Sequence, residues 1–561
     1  WPQVETQCAS STTSSETPAS ASLATTSSLA SCSGARKTNS ASPARIVIVD
    51  ERPQRNRVVV LRDRLGIKPL FYYVTDEAII LASEIKSILL LSGDKFELNE
   101  EAISSYLSFR YPIRNNTFFK GIDVVPPGTK MILKNSRILS AEPFWDLADQ
   151  ITSFQGVSMS ESECLKCLDT LFASAVKYRT IADVPVGAYL SGGVDSSLIA
   201  ARMSLDNPDK VNTYTIGFPQ EEYNEFRWSA LVADRYNTNH KTITIDSHDY
   251  FGVMEELIGY KDAPLSIPNE VPLYLMSQEL KKDVTVVLSG EGADEIFGGY
   301  GRMFRSADDF NIKQRGDGSE AFNEAYVKKY GDQEFGSDLD HFYWNYSYTK
   351  PELKGKFLAK GIDWESVEER LRSVFKDRFD RVAAHGYAEK MMLAFETVHL
   401  QGLLGRLDTT TMAASVEARV PFVDHRLVEL SFRIPQALKL KWKDEVSEAL
   451  GQNMISDDIS ENLDIPKYIL KKYSEDFLPA DVVYRKKMGF PVPLDAWFDG
   501  KFCEAARQTI NDPENPAGRF IDVSAVNDFI DEGLESHERA MKVWMIFNLF
   551  VFGKKYSNFL M

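Results

Sequence analysis

Cysteine is scarce in this 561-residue chain. Cys8, Cys32, Cys164, Cys167 and Cys503 are odd in number and far apart. That scatter argues against a disulfide-stapled secreted scaffold and suits a reducing cytosol, where the protein is expected to reside. Cys164-Leu-Lys-Cys167 forms a CxxC, but zinc needs four ligands and neither a second pair nor a nearby histidine follows. Both thiols are read as buried along a helix. The seven histidines are equally dispersed and no HExxH occurs. Without any run of about 18 apolar residues, no membrane partner is expected. Positive charge is also in deficit: Lys+Arg 64 against Asp+Glu 81 gives −17, a poor match for a nucleic-acid backbone.

Aromatic residues are missing altogether from Pro2 to Leu70, and between Ala9 and Ala44 Ser, Thr and Ala fill 26 of 36 positions. Such a stretch cannot bury enough apolar surface to offset its chain entropy. It has no apolar segment behind a basic start and little Arg, unlike a secretory or transit peptide, and it begins without Met. Residues 1–44 are expected to be disordered or aberrant. The rest, within an average of 43% hydrophobic and 26% charged residues, is ordinary globular sequence.

From Arg45 the texture changes. Ile46–Val49, Val58–Leu61, Leu70–Val74 and Ile79–Leu81 are short β-branched and aromatic runs separated by Asp, Pro and Gly, the pattern of an antiparallel sheet. Helices are expected at Ser83–Leu91 and Asn99–Phe109, then a turn at Pro126-Pro127-Gly128 and a strand at Lys130–Leu133. Past Trp145, helices at Ser160–Thr180, Ser196–Ser204 and Trp228–Tyr236 alternate with strands at Val186–Leu190, Thr213–Ile216 and Val284–Leu288. This alternation predicts βαβ units, a parallel sheet, and ligands beyond the carboxyl ends of the strands. From Phe304 onward the reading is mostly helical.

The strongest chemical signal is Leu190-Ser191-Gly192-Gly193-Val194-Asp195-Ser196-Ser197, placed between a strand and a helix. Two glycines permit a tight turn, hydroxyls and N–H groups face one concavity, and the helix N-terminus favours an anion. The segment reads as a phosphate cradle. It is not the GxxxxGK[ST] loop, because no Lys follows. A second strand, ending in Ser289-Gly290, delivers Glu291, Asp294 and Glu295 to the same sheet edge, where carboxylates beside phosphates can hold magnesium or act as bases. A basic run, Arg485-Lys486-Lys487-Met488-Gly489-Phe490, comes much later. Arg406, Asp408, Glu417, Arg419 and Asp424 read as buried ion pairs between helices.

The Ser-Gly-Gly-x-Asp-Ser-Ser loop resembles that of the ATP pyrophosphatases. Together with Tyr214–Phe218, Val286–Tyr300 and Met412–Asp424 it resembles the glutamine-hydrolysing asparagine synthetases from roughly Val58 to Phe498. The resemblance implies an α/β fold: a parallel-sheet, adenine nucleotide α-hydrolase-like synthetase domain at 151–561 with a helical C-terminal part, preceded at 45–150 by a partial α+β Ntn-type glutaminase domain. It implies ATP and Mg²⁺, with Asp195 and Asp294 holding the metal on pyrophosphate. Ser191, Gly192, Gly193 and Ser196 would form the phosphate loop, and Leu190, Ile216, Ser289 and Gly290 would contact adenosine. Glu291 would help form or consume an acyl-adenylate, and Lys487 would stabilise charge at the α-phosphate. The substrates implied are aspartate, ATP and ammonia or glutamine, and a homodimer is compatible with them.

The resemblance weakens upstream. Arg62–Tyr72 and Ala82–Lys86 match the last part of the family's glutaminase domain, but nothing before about Ala44 does. That enzyme's nucleophile is an N-terminal Cys. Cys8 is not terminal, lacks the following Gly-Ile and has no α-amine of its own. The expectation is a synthetase fed by free ammonia and a glutaminase without its chemistry, the first 44 residues reflecting truncation, a misread start or an out-of-frame stretch. A β-lactam synthetase-like amidoligase and a non-catalytic ATP-binding relic remain as alternatives.

Overall fold

The computed structural model describes residues 45–561 apart from 51, 53–55, 155–157, 246, 487–491, 493–499 and 535. The N-terminal part holds two antiparallel sheets. One takes β1 (Arg45–Asp50), β2 (Arg57–Arg62), β6 (Thr129–Lys134) and β7 (Arg137–Pro143) in the order β1-β2-β6-β7. The other takes β3 (Phe71–Val74), β4 (Ile79–Ala82) and β5 (Ile122–Val124) in the order β4-β3-β5. Period-2 alternation sets the facing: along β2, Val58, Val60 and Arg62 point inward, and with Leu70, Ile79, Leu81, Met131 and Leu133 the two valines form one core. Helices Ile85–Ser92 and Glu100–Phe109 follow. The second begins at Asn99, whose carboxamide oxygen accepts the Glu101 and Ala102 N–H groups.

A five-stranded parallel sheet forms the second unit. Its order is β10-β9-β8-β11-β12, built from β8 (Val186–Tyr189), β9 (Asn212–Gly217), β10 (Asn239–Thr244), β11 (Val286–Leu288) and β12 (Glu417–Arg419). β8 and β11 are buried almost throughout, as strands covered on both faces must be. The chain runs outward from β8 through β9 to β10 and returns to the opposite side of β8 as β11. The strand order therefore reverses between β8 and β11, where parallel sheets open a crevice. Helix Glu161–Thr180, begun by a Ser160/Glu163 capping box, packs Phe172 on Phe422 with centroids 4.9 Å apart.

The remainder is chiefly helical, as the sequence predicts. Helices Tyr387–Ala394 and Leu400–Ala413 are joined without a break by a π-helical turn, Phe395–His399. Helix His537–Lys555 is buried on every side around Trp544. No helix among the described residues is long and apolar enough to cross a membrane.

The fold class is the α/β arrangement expected, with six strands added among the described residues: β5, β7, β10, β12 and the antiparallel pair Leu440–Trp442 and Asp464–Pro466. β10 is polar and exposed because it forms a sheet edge. β7 is likewise largely exposed, and β12 lies inside the segment read as helical. Residues 1–44 fall outside the described residues.

Candidate active site

The two loops leaving β8 and β11 meet at the reversal point. After β8, Leu190 N–H donates to the Tyr214 carbonyl at 2.8 Å, and the chain then turns through Gly192 at φ +71°. A Cβ there would lie 2.5 Å from Trp228 Cβ and 2.6 Å from the Ser229 nitrogen, so only glycine fits. Ser196 Oγ accepts the Ser191 N–H at 3.1 Å and lies 3.0 Å from Ser191 Oγ, tying the loop to the first turn of helix Val194–Asp206. Gly193 is that helix's N-cap and supplies no side-chain cap, so the first-turn N–H groups are left to other partners. After β11, Ser289 N–H donates to the Arg419 carbonyl at 2.9 Å, and Gly290 passes so close to Asp195 that a Cβ would stand 3.0 Å from its Cβ.

Between these loops lies a cavity of about 380 Å³. Leu190, Ser191, Gly193, Asp195 and Ser196 line it from the first loop; Ile216 from β9; and Ser289, Gly290, Glu291 and Asp294 from the second. All the predicted site residues line the cavity except two. Gly192 lies behind the loop against helix Phe226–Tyr236, and Lys487 lies outside the described residues. Glu295, placed by the sequence at the same edge, is turned away: it is 1% exposed and accepts the Tyr300 hydroxyl at 2.7 Å. Burial, reinforced by the charges of Asp294 and Glu291, pushes its carboxyl up to about 7.

Four basic side chains complete the wall. Lys467, 6% exposed, places Nζ 2.6 Å from Asp195 Oδ2 and 2.7 Å from Asp294 Oδ1. Burial lowers the affinity of its amine for a proton, but the two carboxylates outweigh that and hold it above the ordinary lysine range. Arg406 donates from Nη2 to Glu291 Oε1 at 2.5 Å. Arg485 pairs with Glu225 and donates from Nε to the Gly192 carbonyl at 2.9 Å. Lys471, one helical turn beyond Lys467, has no ionic partner among the described residues; burial and the Lys467 charge lower its pKa.

The reading of Arg406 and its neighbours as helix-to-helix ion pairs needs correction. Arg406 is ion-paired, but with the cavity's Glu291. Asp408 pairs at 2.5 Å with Lys68 of the N-terminal unit and Glu417 with Arg419 on its own strand, whereas Asp424, the N-cap of helix His425–Ser431, does join another helix through Arg179 of Glu161–Thr180 and pairs with Arg426 as well. Lys467 carries no local signal, since its partners lie far away in sequence. Among the described residues no group of three or more His, Cys, Asp or Glu side chains is arranged to hold a metal. Asp195 and Asp294 do converge on one point, which Lys467 Nζ occupies.

The asparagine synthase family model matches residues 168–551, most of the chain and the whole of this cavity. The chain belongs to the asparagine synthase family. A glutamine amidotransferase domain model matches residues 45–145, so this family member carries recognisable elements of both units. Asparagine synthetase [glutamine-hydrolyzing] 1 of Bacillus subtilis (strain 168) is 28% identical over 516 residues, 86% of this chain and 73% of that protein. A putative asparagine synthetase [glutamine-hydrolyzing] of Mycobacterium tuberculosis (strain ATCC 25618 / H37Rv) is 28% identical over 518 residues, 87% and 73% of the two chains. Amidase chry2 of Gibberella zeae (strain ATCC MYA-4620 / CBS 123657 / FGSC 9075 / NRRL 31084 / PH-1) is 25% identical over 539 residues, 88% and 75%.

Proposed function

We propose that this chain amidates aspartate in an ATP-dependent reaction through a β-aspartyl-adenylate, with ammonia as the direct nitrogen donor. The observation that carries this reading is the meeting, in one cavity, of the Ser191–Ser196 loop and helix N-terminus with Glu291, Asp294 and Lys467. An oxygen of the aspartate β-carboxylate attacks the α-phosphorus, the bond to the β-phosphate oxygen breaks, and pyrophosphate leaves. Ammonia then attacks the acyl carbon, the carbon–oxygen bond to AMP breaks, and the nitrogen gives up a proton.

The N–H groups at the start of helix Val194–Asp206 and the hydroxyls of Ser191 and Ser196 receive the phosphates. Leu190, Ile216, Ser289 and Gly290 border the adenosine. Glu291, oriented by Arg406, stands at the acyl centre, and Lys467 with Lys487 opposes charge developing on the phosphates. Asp195 and Asp294 present the hard oxygens that magnesium takes when phosphates complete its shell, and the metal would supply charge neutralisation of the departing pyrophosphate.

The amidotransferase match, residues 45–145, has no cysteine within it to serve as a glutaminase nucleophile. Coupled measurement of pyrophosphate and glutamate tests the reading: ammonia-dependent pyrophosphate release from aspartate and ATP is expected, with no glutamate formed from glutamine. Robust glutaminase activity in this polypeptide would sink the ammonia assignment.

A second reading, a related amidoligase with a different acceptor, has the support that some similar chains, Amidase chry2 and Amidase chyE, bear a name other than asparagine synthetase. An acceptor screen for pyrophosphate release separates the two. Asp195→Ala abolishing that release separates either from a non-catalytic relic.

A further inference from the structure

The turn that follows β2 is firmly built. Arg62, buried at the end of that strand, donates to the carbonyls of Lys68 at 2.9 Å, Gly66 at 3.0 Å and Val125 at 2.6 Å. The Asp63 carboxylate accepts the N–H groups of Leu65 at 3.1 Å, Ile67 at 2.9 Å and Lys68 at 3.3 Å. A guanidinium holding carbonyls and a carboxylate holding amides leave the turn little freedom, since charge-assisted bonds are the stronger kind. The order this imposes is directed outside the N-terminal sheets. Leu65 enters the core of the parallel-sheet unit, with Ile67 packed against it. Lys68 reaches Asp408 on helix Leu400–Ala413 at 2.5 Å, with 15% and 10% of the two side chains exposed.

The same helix is held near its other end. The Tyr111 ring lies against Gly402, where a Cβ would stand 2.6 Å from two ring carbons. Its hydroxyl is 2.7 Å from that of Tyr346, which in turn is 2.8 Å from His399 Nδ1, the residue before the helix. Arg406 lies between these two attachments and bonds to Glu291.

We propose that the turn 62–68 and Tyr111 clamp helix Leu400–Ala413 at Asp408 and Gly402 and so hold Arg406 on Glu291, making the N-terminal unit a positioning element of the cavity apart from any glutaminase chemistry. Lys68 and Tyr111 are the positioning residues. The kinetic consequence rests on the function proposed above; the structural consequence does not.

Hydrogen exchange and pyrophosphate release, both measured on the full chain, test it together. Lys68→Met is expected to speed amide exchange in helix Leu400–Ala413 and in the loop 289–297 by about fivefold or more, leaving helix Glu320–Tyr330 unchanged. Arg406→Met is expected to speed exchange in the loop. With aspartate and ammonia, Lys68→Met is expected to lower kcat about tenfold while the ATP KM stays within about twofold, and Lys68→Arg to restore kcat. If Lys68→Met does not fold, Tyr111→Phe, which removes one hydroxyl, reads the same loop. Unchanged exchange at 289–297, or faster exchange there with wild-type kcat, overturns the clamp. If the wild type releases no pyrophosphate, the aspartate reading fails, and exchange at 289–297 alone decides the clamp.

Discussion

Lys467 Nζ lies 2.6 Å from Oδ2 of Asp195, a residue 272 positions earlier in the chain. The same ammonium stands 2.7 Å from Asp294, so it joins the Ser191–Ser196 loop, the second acidic loop and the late helical region at one point. Removing one member of a buried ion pair costs about 3–5 kcal/mol, and the carboxylates here, about one-fifth exposed, place Lys467→Met near the lower end. Urea unfolding at pH 7.5 is expected to register that loss. In the wild type the lysine's folded pKa is raised, so its contribution is fully present below 10.5 and is lost only as pH climbs through the higher folded value. Equal stability of the variant at pH 7.5 would contradict this account.

Gly192→Ala is expected to be disproportionately damaging for a single methyl. The position combines φ +71° with backbone of helix Phe226–Tyr236 at 2.6 Å, and strain of this kind costs about 1–3 kcal/mol. Calorimetry of thermal unfolding and an ATP titration should both change: a lower melting temperature and weaker nucleotide binding are expected. A loop that tolerates alanine with wild-type ATP affinity would show that the cradle is not built as described.

These two sites differ in how far the sequence discloses them. Gly192 is legible because strand, glycine pair and helix follow each other without interruption, and each step is local chemistry. Lys467 is not. Its significance arises from tertiary closure between residues with no common periodicity. The same limit hid β10, whose Asn239–Thr244 sequence is polar because one side of an edge strand faces water, and β12, three residues long within a helical stretch. Arg406 was correctly legible as an ion-paired residue, but the sequence contains nothing that aims it at Glu291 rather than at another helix. Glu295 illustrates the converse: its motif placed it in the site, and the short helix Ala293–Phe297 rotates it into the core.

Glu295→Gln should flatten part of the pH dependence of stability. With a folded pKa near 7 against an ordinary value of 4.5, the folded state holds a proton that the unfolded state has already released between those values. Wild-type stability therefore falls as pH rises from about 4.5 to 7 and is constant beyond that as far as this group is concerned. Urea midpoints at pH 5, 6, 7 and 8 should show the glutamine variant gaining on the wild type up to pH 7. Parallel curves for the two proteins would place the titration elsewhere.

Lys471→Met should weaken ATP binding with little effect on the fold, because this cation has no ionic partner among the described residues to leave behind. Losing a charge-assisted contact worth about 1.5–3 kcal/mol corresponds to a rise in ATP KM of about tenfold or more. Initial-rate kinetics across ATP concentration would check this, and an unchanged KM would show that Lys471 makes no contact with the nucleotide.

The π-helical turn at Phe395–His399 gives the cavity a dependence on angle as well as on composition. A π turn accommodates one residue more than an α turn, so everything beyond it is rotated by about 100° from where an unbroken α-helix would carry it. Arg406 and Asp408 both lie downstream, and both meet partners on other elements. Deleting Thr397 from that turn would keep the helix, its apolar side chains and its charged groups, yet swing Arg406 more than a quarter-turn off Glu291. The extra residue acts as a phase setting, like one tooth in a gear train, and the alignment of two separate contacts depends on it.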